Sequence, residues 1–479
     1  MATADPDRKQ RGAWFTPDHL VSLVVDAVVD AEFVASRPGR RVRVLDPACG
    51  DGRFLAAAAD AIRAAGGEAE LFGVDVDGAA VADARARLGR AGHTGADLVV
   101  EDALTSPFLD RRRGAVDLVI GNPPYLSQMA ASTTRGGASR HGGGPYADAA
   151  VEFLSLGADL VDPRGGRLAF VLPQSILSVR DAGPVRERID RAATMFWSSW
   201  TGERDFDAEV VTCALAFQFD RDDPVASSGS ASTPFAGSWS HVVTQRIGVP
   251  PVPAALDDPN PPRGRLGDRV TLNANFRDEY YGMVPAVGDH DDGPPLITSG
   301  LIDPGRSLWG EVPVKFAKQR FAAPRIDLDL LDDKMSRWAS KRLVPKVLVA
   351  NQTAIIEAVA DADGDWLPGV PVVGVYPHDP ADVWPVAALL TSPSVSVWAW
   401  HRRGGTGLSP TTIRIGPTML AELAWPSGSL DDAVAALRSG DAVECARSVD
   451  AAYGVAGDDA DVAMRWWMER LEQIERRRR

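Results

Sequence analysis

The sequence has little cysteine, little lysine and no long apolar run, and each shortage excludes a class of protein. Its 479 residues include three cysteines, Cys49, Cys213 and Cys445, which lie far apart and lack any CxxC partner. This pattern argues against a disulfide framework and against a zinc site. No run approaches the roughly 18 apolar residues that a membrane span requires, and the N-terminal segment MATADPDRKQ is polar rather than signal-like. We therefore expect a cytoplasmic protein with no membrane segment and no bound metal.

Positive charge is scarce overall and concentrated in one part of the chain. Lysine and arginine total 51 against 65 aspartates and glutamates, which gives a formal charge of -14. This balance counts against a nonspecific nucleic-acid coat protein but leaves room for a local basic face. Five of the six lysines lie between Lys315 and Lys346. At 45% hydrophobic residues, the chain is long enough for two or three domains with cores of their own.

The stretch from Gly121 to Tyr125 follows an apolar run, 116–120, that predicts a buried parallel strand. Asn122 would then lie at the carboxyl end of a strand, where open α/β sheets bind ligands. Because the prolines after it offer no N–H, this stretch presents acceptors: the Asn122 side-chain oxygen and the Pro123 carbonyl. Two acceptors that hold both hydrogens of an exocyclic amino group would favour its pyramidal, nucleophilic form. The alternative interpretation is a proline-rich turn after a strand.

Three predicted strands upstream each end in an acidic residue. Strand 41–46 ends at Asp46 and leads into a glycine turn, whose acidic residues favour a cationic ligand over a phosphate. The next strand ends at Asp75, about twenty residues past that turn, where related folds place an acid on a ribose hydroxyl pair. The third ends at Asp102, which could accept an adenine amino group. Each acid could equally be a solvated strand end, but three in succession favour a binding role.

The ordered motifs resemble those of one enzyme family over about residues 12 to 220. They are Phe15-x-Thr-Pro, Leu45-Asp-Pro-Ala-Cys-Gly-x-Gly, Gly73-x-Asp, Asp102, Asn122-Pro-Pro-Tyr and Phe206. This set is similar to the gamma-class S-adenosylmethionine-dependent DNA N6-adenine methyltransferases. The resemblance implies that the cofactor is held by Thr16, Asp46, Ala48, Gly50, Gly52, Asp75 and Asp102. It implies that catalysis uses Asn122, Pro123, Pro124 and Tyr125, with Phe206 as a second stacking aromatic. A proline often follows that phenylalanine in the family, and Asp207 stands here instead.

Alternating strand and helix patterns predict a Rossmann-like, doubly wound, mostly parallel α/β sheet with a final antiparallel strand at one side. We expect a catalytic domain over 12–220 and a linker over 221–250. A β-rich or mixed target-recognition domain over 251–428 and a helical segment over 429–479 would follow. The predicted DNA contacts are Lys315, Lys318, Lys341, Arg402 and Arg403. The first three belong to a basic segment, 315–346. The last two belong to a basic-aromatic group that we expect to supply base contacts, namely Trp398, Trp400, His401, Arg402, Arg403 and Arg414. A solvated surface of mixed charge is the alternative for the basic segment.

Together these features predict a site-specific methyltransferase that modifies the amino group of a flipped-out adenine in double-stranded DNA, in a restriction-modification or phage-defence setting with possible partner proteins. One alternative is a protein-glutamine or RNA amino-methyltransferase that shares the Asn-Pro-Pro-Tyr motif. Another is a catalytically silent DNA-binding subunit of a defence complex. The intact motif argues against the silent subunit, and the long region after the catalytic domain argues against the other enzymes.

Overall fold

The computed structural model describes residues 16–125, 142, 148–202, 211–220, 239–274 and 277–478. The chain divides into two compact units, Met1–Val242 and Val243–Arg479. Phe15 and Phe206, which the sequence analysis singled out, lie outside the described residues.

The first unit is built on a seven-stranded sheet. Its strands are β1 (Arg41–Asp46), β2 (Glu68–Asp75), β3 (Asp97–Val100), β4 (Leu118–Gly121), β5 (Arg167–Pro173), β6 (Ala193–Ser199) and β7 (Thr212–Phe219). They lie in the order β3-β2-β1-β4-β5-β7-β6. The first five strands of this order pair in parallel, and β7 runs antiparallel to both of its neighbours. The predicted Rossmann-like, mostly parallel α/β fold is confirmed.

Helices connect the parallel strands of the first unit. They are α1 (Asp18–Val28), α2 (Ala31–Ala35), α3 (Arg53–Ala64), α4 (Gly78–Arg90), α5 (Pro107–Asp110), α6 (Ala149–Leu160) and α7 (Gly183–Ala192). The apolar faces of α1 and α3 pack with β1, β4 and β5 in one core cluster, which buries Val24, Leu55 and Ile120 completely. Burial on both faces explains why β4 reads as an uninterrupted apolar run.

The antiparallel strand β7 lies inside the sheet, between β5 and β6, rather than at its edge as the sequence analysis expected. Burial gives the physical reason. Seven of the eight residues of β7 are buried, whereas β6 buries only Met195 among its seven residues. A strand with both faces covered suits the interior of a sheet, and a half-exposed strand suits its edge.

The first unit extends beyond its last strand to Val242. The Trp239 ring lies 5.1 Å from the Phe217 ring, and its Nε1 donates to Asp190 Oδ1 at 2.7 Å. Trp239 is 3% exposed. The segment predicted as a linker, 221–250, therefore contains a residue that packs into the core of the first unit.

The second unit mixes helices with short strands. A four-stranded antiparallel sheet has the order β18-β16-β20-β8, formed by β8 (Val270–Ala274), β16 (Lys346–Ala350), β18 (Ala358–Asp361) and β20 (Val372–Pro377). The other strands form pairs: β9 (Val287–Gly288) with β15 (Arg325–Ile326), β10 (Leu296–Ile297) with β19 (Leu367–Pro368), β11 (Ile302–Asp303) with β12 (Arg306–Ser307), β13 (Val314–Phe316) with β14 (Gln319–Phe321), and β17 (Gln352–Thr353) with β21 (Ile413–Arg414).

The helices of the second unit are concentrated towards its C-terminal end. They are α8 (His241–Arg246, which begins at the unit boundary), α9 (Ala254–Asp257), α10 (Arg277–Met283), α11 (Asp333–Ser340), α12 (Val383–Leu390), α13 (Pro393–Arg403), α14 (Pro417–Ala421), α15 (Asp431–Arg438), α16 (Ala442–Ala452) and α17 (Asp458–Arg478). Helix α13 lies in the core of this unit, where Trp398 and Trp400 are completely buried. The prediction that these two tryptophans contact bases is wrong, because neither ring reaches the surface.

Candidate active site

The carboxyl ends of β1, β2 and β4 meet at one edge of the sheet and bring three predicted site residues together. Asp46 is the last residue of β1 and lies opposite Gly73 of β2. Asp75 follows Gly73 by two residues and ends β2. On the other side of β1, Leu45 lies opposite Val119 of β4, which places Asn122 just beyond the strand end at the same edge. The parallel register therefore gathers residues that are far apart in the sequence.

The glycine turn after β1 is held by the two strand-end carboxylates. The N–H of Gly50 donates to Asp75 Oδ2 at 2.8 Å, and the N–H of Ala48 donates to Asp46 Oδ1 at 3.0 Å. Gly52, the N-cap of α3, has a φ of 77°, in the left-handed region, and a Cβ there would lie 2.9 Å from the Ala84 Cβ. Glycine is therefore required at position 52 both for its backbone conformation and for close packing.

A second glycine lets β4 approach β1 closely. A Cβ on Gly121 would lie 2.4 Å from Asp46 Oδ1, a distance that real Cβ atoms do not reach. Gly121 therefore places the backbone that leads into Asn122 directly against the Asp46 carboxylate. The two motifs that the sequence analysis treated separately are in contact here.

The carboxylates at this edge differ in their counter-charges. Burial opposes ionisation of Asp51, but hydrogen bonds and charges from Arg53 and Arg87 outweigh it and lower the Asp51 pKa. Asp46 has no basic side chain within ion-pair distance among the described residues, and it is 2% exposed. Burial raises the pKa of Asp46 to about 8, and the charges of Asp75 and Asp51 add to this rise.

Asp75 is a partly buried carboxylate that also lacks a basic partner in the described part of the chain. Burial raises its pKa, although N–H groups of Asp77 and Gly50 oppose the rise by donating to the carboxylate. A pair of poorly neutralised carboxylates beside an open turn favours a ligand that carries positive charge or hydroxyl groups.

The Asn122 side chain has a partner on each side of its amide. Its Nδ2 donates to Thr16 Oγ1 at 2.9 Å, and its Oδ1 accepts from the Tyr125 hydroxyl. The Thr16 carbonyl in turn accepts from Arg53 Nη1. The structure thus places Thr16, which the resemblance assigns to the cofactor, against the residue that the resemblance assigns to catalysis.

Asp102 lies two residues beyond the end of its strand, whereas the sequence analysis expected it to be the last residue of that strand. Strand β3 ends at Val100, and the exposed Asp102 caps a short 3-10 helix by accepting from the N–H of Leu104 at 3.0 Å. The sequence analysis missed Arg53 and Arg87, the arginines that neutralise Asp51. Arg53 lies only two residues from Asp51, but Arg87 is 36 residues away and the local pattern gives no signal of its pairing.

The predicted DNA contacts of the second unit fall into two groups. Lys315, Lys318 and Lys341 are exposed. Lys346, which ends the basic segment, is 0% exposed and pairs with Asp361, so it cannot contact DNA. Arg402 Nη1 lies 3.1 Å from Asp257 Oδ1 and its guanidinium covers the Trp398 ring.

Arg403 is also partly buried, and burial lowers the pKa of its guanidinium. The pairing of Arg402 and the burial of Arg403 leave the three lysines as the more accessible of the predicted contacts.

Similarity to known proteins covers mainly the first unit. Residues 2–192 match the family model for N-6 DNA methylase. Two curated relatives are each 30% identical: the type II methyltransferase M.MamI of Microbacterium ammoniaphilum over 150 residues, and the type II methyltransferase M.BanIII of Aneurinibacillus aneurinilyticus over 135 residues. These alignments cover 29% and 25% of this chain, and only 36% and 23% of the respective relatives.

Solved structures with a similar fold include restriction-modification proteins. The type IIG restriction endonuclease BpuSI aligns with 98% of this chain and 67% of its own, at 13% identity and a TM-score of 0.42. A type I restriction-modification methyltransferase subunit from Streptococcus thermophilus aligns with 44% of this chain and 46% of its own, at 21% identity and a TM-score of 0.37.

Two features are absent from the residues that the structure describes. No helix among them is both long and apolar enough to cross a membrane. Within the same residues, no group of three or more histidine, cysteine, aspartate or glutamate side chains is arranged to hold a metal ion.

Proposed function

We propose that this protein is a site-specific DNA adenine-N6 methyltransferase of a restriction-modification system. The observation that carries the proposal is the position of Asn122, at the carboxyl end of β4, with its amide oriented by Thr16 and with Asp46 and Asp75 at the same edge. The match to the N-6 DNA methylase family and the similarity to two type II methyltransferases support it. The gamma-class assignment rests on the order of the motifs.

The acceptors of the Asn-Pro-Pro-Tyr motif explain how an amino group could become nucleophilic. Because Nδ2 donates a hydrogen bond to Thr16 Oγ1, the Asn122 oxygen is the atom of the amide that can accept from a substrate amine. No described residue donates to the Pro123 carbonyl, which supplies a second acceptor. With both amine hydrogens held, the nitrogen lone pair leaves conjugation with the ring and points away from the two oxygens.

In the proposed reaction, the Tyr125 ring and the Tyr125 hydroxyl have separate roles. Its ring gives a flat surface on which an extruded base can stack. Its hydroxyl donates to the Asn122 oxygen and orients it. Because an amide oxygen has two lone pairs, it can accept from a target amine as well as from the Tyr125 hydroxyl.

The edge formed by Asp46 and Asp75 fits S-adenosylmethionine, whose sulfonium and amino groups are cationic and whose ribose carries two hydroxyls. The unneutralised carboxylates are the observation that supports this fit. Asp75 would hold the ribose, and Asp46 with the turn from Ala48 to Gly52 would hold the amino-acid part. When bound, this cofactor supplies an electrophilic methyl group.

The test is to incubate the protein with methyl-labelled S-adenosylmethionine and plasmid DNA, total RNA or protein, and to identify the modified nucleoside or amino acid. We expect label in DNA as N6-methyladenine. Asn122→Ala should lose methyl transfer by at least about 100-fold while it keeps cofactor affinity. Asn260→Ala, at an exposed turn of the second unit, is the matched control. Label in RNA or in glutamine would favour the alternative amino-methyltransferases, and no label in any polymer would favour the silent subunit.

A further inference from the structure

The hairpin of β13 and β14, in the second unit, carries three exposed cations on one narrow ribbon. Lys315 lies directly opposite Arg320, and Lys318 is in the turn. Directly opposed residues project from the same face of a hairpin, at a Cβ separation of about 5 Å. All three side chains are exposed, and the described ion pairs of this unit involve other cations. The ribbon therefore groups three like charges, and no acid of the described residues lies within ion-pair distance of them.

The turn of the hairpin is strained. Ala317 has a φ of 48° and Lys318 a φ of 68°, so both central residues are in the left-handed region. Hairpin turns of this kind favour asparagine and glycine, because a Cβ is unfavourable in that region. A lysine at the second position places a charge at the tip of the ribbon where stability alone would favour glycine. Strain that a fold does not require is a sign of function.

The opposite face of the ribbon is fixed to the unit. Phe316 is buried in a core cluster with Met283 and Met335, and the Tyr280 ring lies 4.7 Å from the Phe316 ring. The Tyr280 hydroxyl accepts from the N–H of Ala317 at 3.0 Å. The nearest acid along the chain, Glu311, pairs with Arg306, and Asp289 accepts from the N–H groups of residues 322 and 323. The three cations therefore lie on a hairpin whose opposite face is packed into the core of the second unit.

We propose that this hairpin is a basic ribbon that enters the major groove of duplex DNA. The major groove accommodates a two-stranded β-ribbon, and phosphates line both of its walls. Lys315 and Arg320 contact those phosphates, and the turn with Lys318 points into the groove. The proposal rests on the proposed DNA methyltransferase function, and it assigns the DNA-binding role to one element of the second unit.

The first test compares two variants that lose the same charge. One is Lys315→Gln/Lys318→Gln/Arg320→Gln. The control is Arg306→Gln/Arg447→Gln/Arg476→Gln, which removes three exposed arginines that are paired with glutamates. Binding to random-sequence duplex is measured from 50 to 400 mM salt, about the range in which phosphate contacts dominate. The hairpin variant should lose affinity on the order of 100-fold near 0.1 M salt, with a log–log slope lower by about 2 to 3 units. The control should stay within about twofold of wild type.

A single substitution tests the proposal even if the triple variant does not fold. Lys318→Asn suits the turn conformation and should lower the salt slope by about one unit. Methyl green, a major-groove ligand, should compete with wild type for DNA, whereas netropsin, a minor-groove ligand, should not. An unchanged slope in both hairpin variants overturns the proposal, and so does competition by netropsin alone.

The same proteins separate this proposal from the proposed function. Suppose that wild type transfers the labelled methyl group to adenine, and that the hairpin variants keep the wild-type salt slope of DNA affinity and the wild-type KM for DNA. The ribbon proposal is then wrong and the methyltransferase proposal is supported. Suppose instead that wild type transfers no labelled methyl group to any polymer, but that the hairpin variants lose DNA binding. The ribbon proposal is then supported and the methyltransferase proposal is wrong. Cofactor affinity should be unchanged in every hairpin variant, because the ribbon belongs to the second unit.

Discussion

The amide of Asn122 can present either an oxygen or an NH2 group towards a substrate, and only the oxygen can accept from an amine. In the structure Nδ2 donates to Thr16 Oγ1 and the oxygen accepts from Tyr125, so these two contacts hold the amide in one orientation. Thr16 is held in turn by Arg53, which pairs with Asp51. This chain of contacts ties the acceptor of the proposed reaction to the glycine turn.

Thr16→Val should therefore lower kcat on the order of tenfold, as expected for the loss of one orienting hydrogen bond of about 1 to 2 kcal/mol. The cofactor Kd should change by less than about twofold, and Thr16→Ser, which keeps the hydroxyl, should restore the rate. Single-turnover methyl transfer and calorimetric cofactor titration measure the two quantities. A large rise in Kd with an unchanged kcat would instead support the cofactor role that the family resemblance implies.

Asp46 predicts a proton linkage to cofactor binding. Its pKa, raised by burial to about 8, lies above the ordinary value, so the folded protein favours the neutral carboxyl and loses this stabilisation as the pH rises through about 8. A cationic ligand favours the carboxylate. Its binding should therefore release a proton below about pH 8 and tighten as the pH rises from 6.5 to 8.5.

Calorimetry at pH 7.5 in buffers of different ionisation enthalpy measures that proton. Asp46→Asn is the matched control, because it removes the carboxyl and leaves the ionisation of the ligand unchanged. Equal proton release by wild type and Asp46→Asn would show that the proton does not come from Asp46.

The sequence predicts much of this site, because strand ends can be located from local patterns and a parallel sheet brings those ends together. Asp46, Asp75 and Asn122 are gathered in that way. The contact between Thr16 and Asn122 joins residues 106 positions apart, and nothing in either local pattern indicates it. Nor does the sequence distinguish Asp51, which is neutralised by arginines, from Asp46, which is not.

At the scale of single elements, the hairpin of β13 and β14 combines a strained turn with the proposed DNA contacts. Lys318→Gly should raise the free energy of unfolding of the second unit by about 1 kcal/mol, because glycine adopts the left-handed region without a Cβ penalty. Gln319→Gly, in the adjoining strand, should lower it by a similar amount. Denaturant unfolding measures both. A loss of stability in Lys318→Gly would show that the turn is not strained.

The order of the strands marks a limit of sequence-based prediction. The antiparallel direction of β7 follows from its place as the last strand of the pattern, but its insertion between β5 and β6 does not. That insertion depends on which strand has both faces covered, and the coverage arises from helices elsewhere in the unit. The basic segment shows the same limit: Lys315 is exposed and Lys346 is buried, although both stand in one lysine-rich stretch.

For the molecule as a whole, one buried acid couples stability to pH. Asp450 accepts from Ser392 Oγ and from the N–H of Ser394, and it is 2% exposed. Burial raises its pKa to about 6, and the serine hydrogen bonds oppose the rise. Its contribution to stability is complete below about pH 4 and is lost as the pH rises through 6.

Asp450→Asn should therefore stabilise the protein at pH 8, by up to about 3 kcal/mol, because the amide oxygen can accept the same two bonds without a buried charge. The gain should shrink towards zero near pH 4. Thermal or denaturant unfolding between pH 4 and 8 measures it, and Asp363→Asn, at an exposed site, should show no such trend. A variant that is less stable than wild type at pH 8 would mean that the carboxylate is better solvated than its burial indicates.

The interior position of β7 also determines when the first unit can be completed. During synthesis, β5 leaves the ribosome with six of its seven residues destined for burial, and its outer edge stays unpaired until Thr212 to Phe219 follow. Until then β6 has no neighbour to join, because its only partner in the described sheet is β7. A nascent or truncated chain that stops before β7 therefore exposes an apolar strand edge, which is a template for aggregation and a natural point of engagement for chaperones.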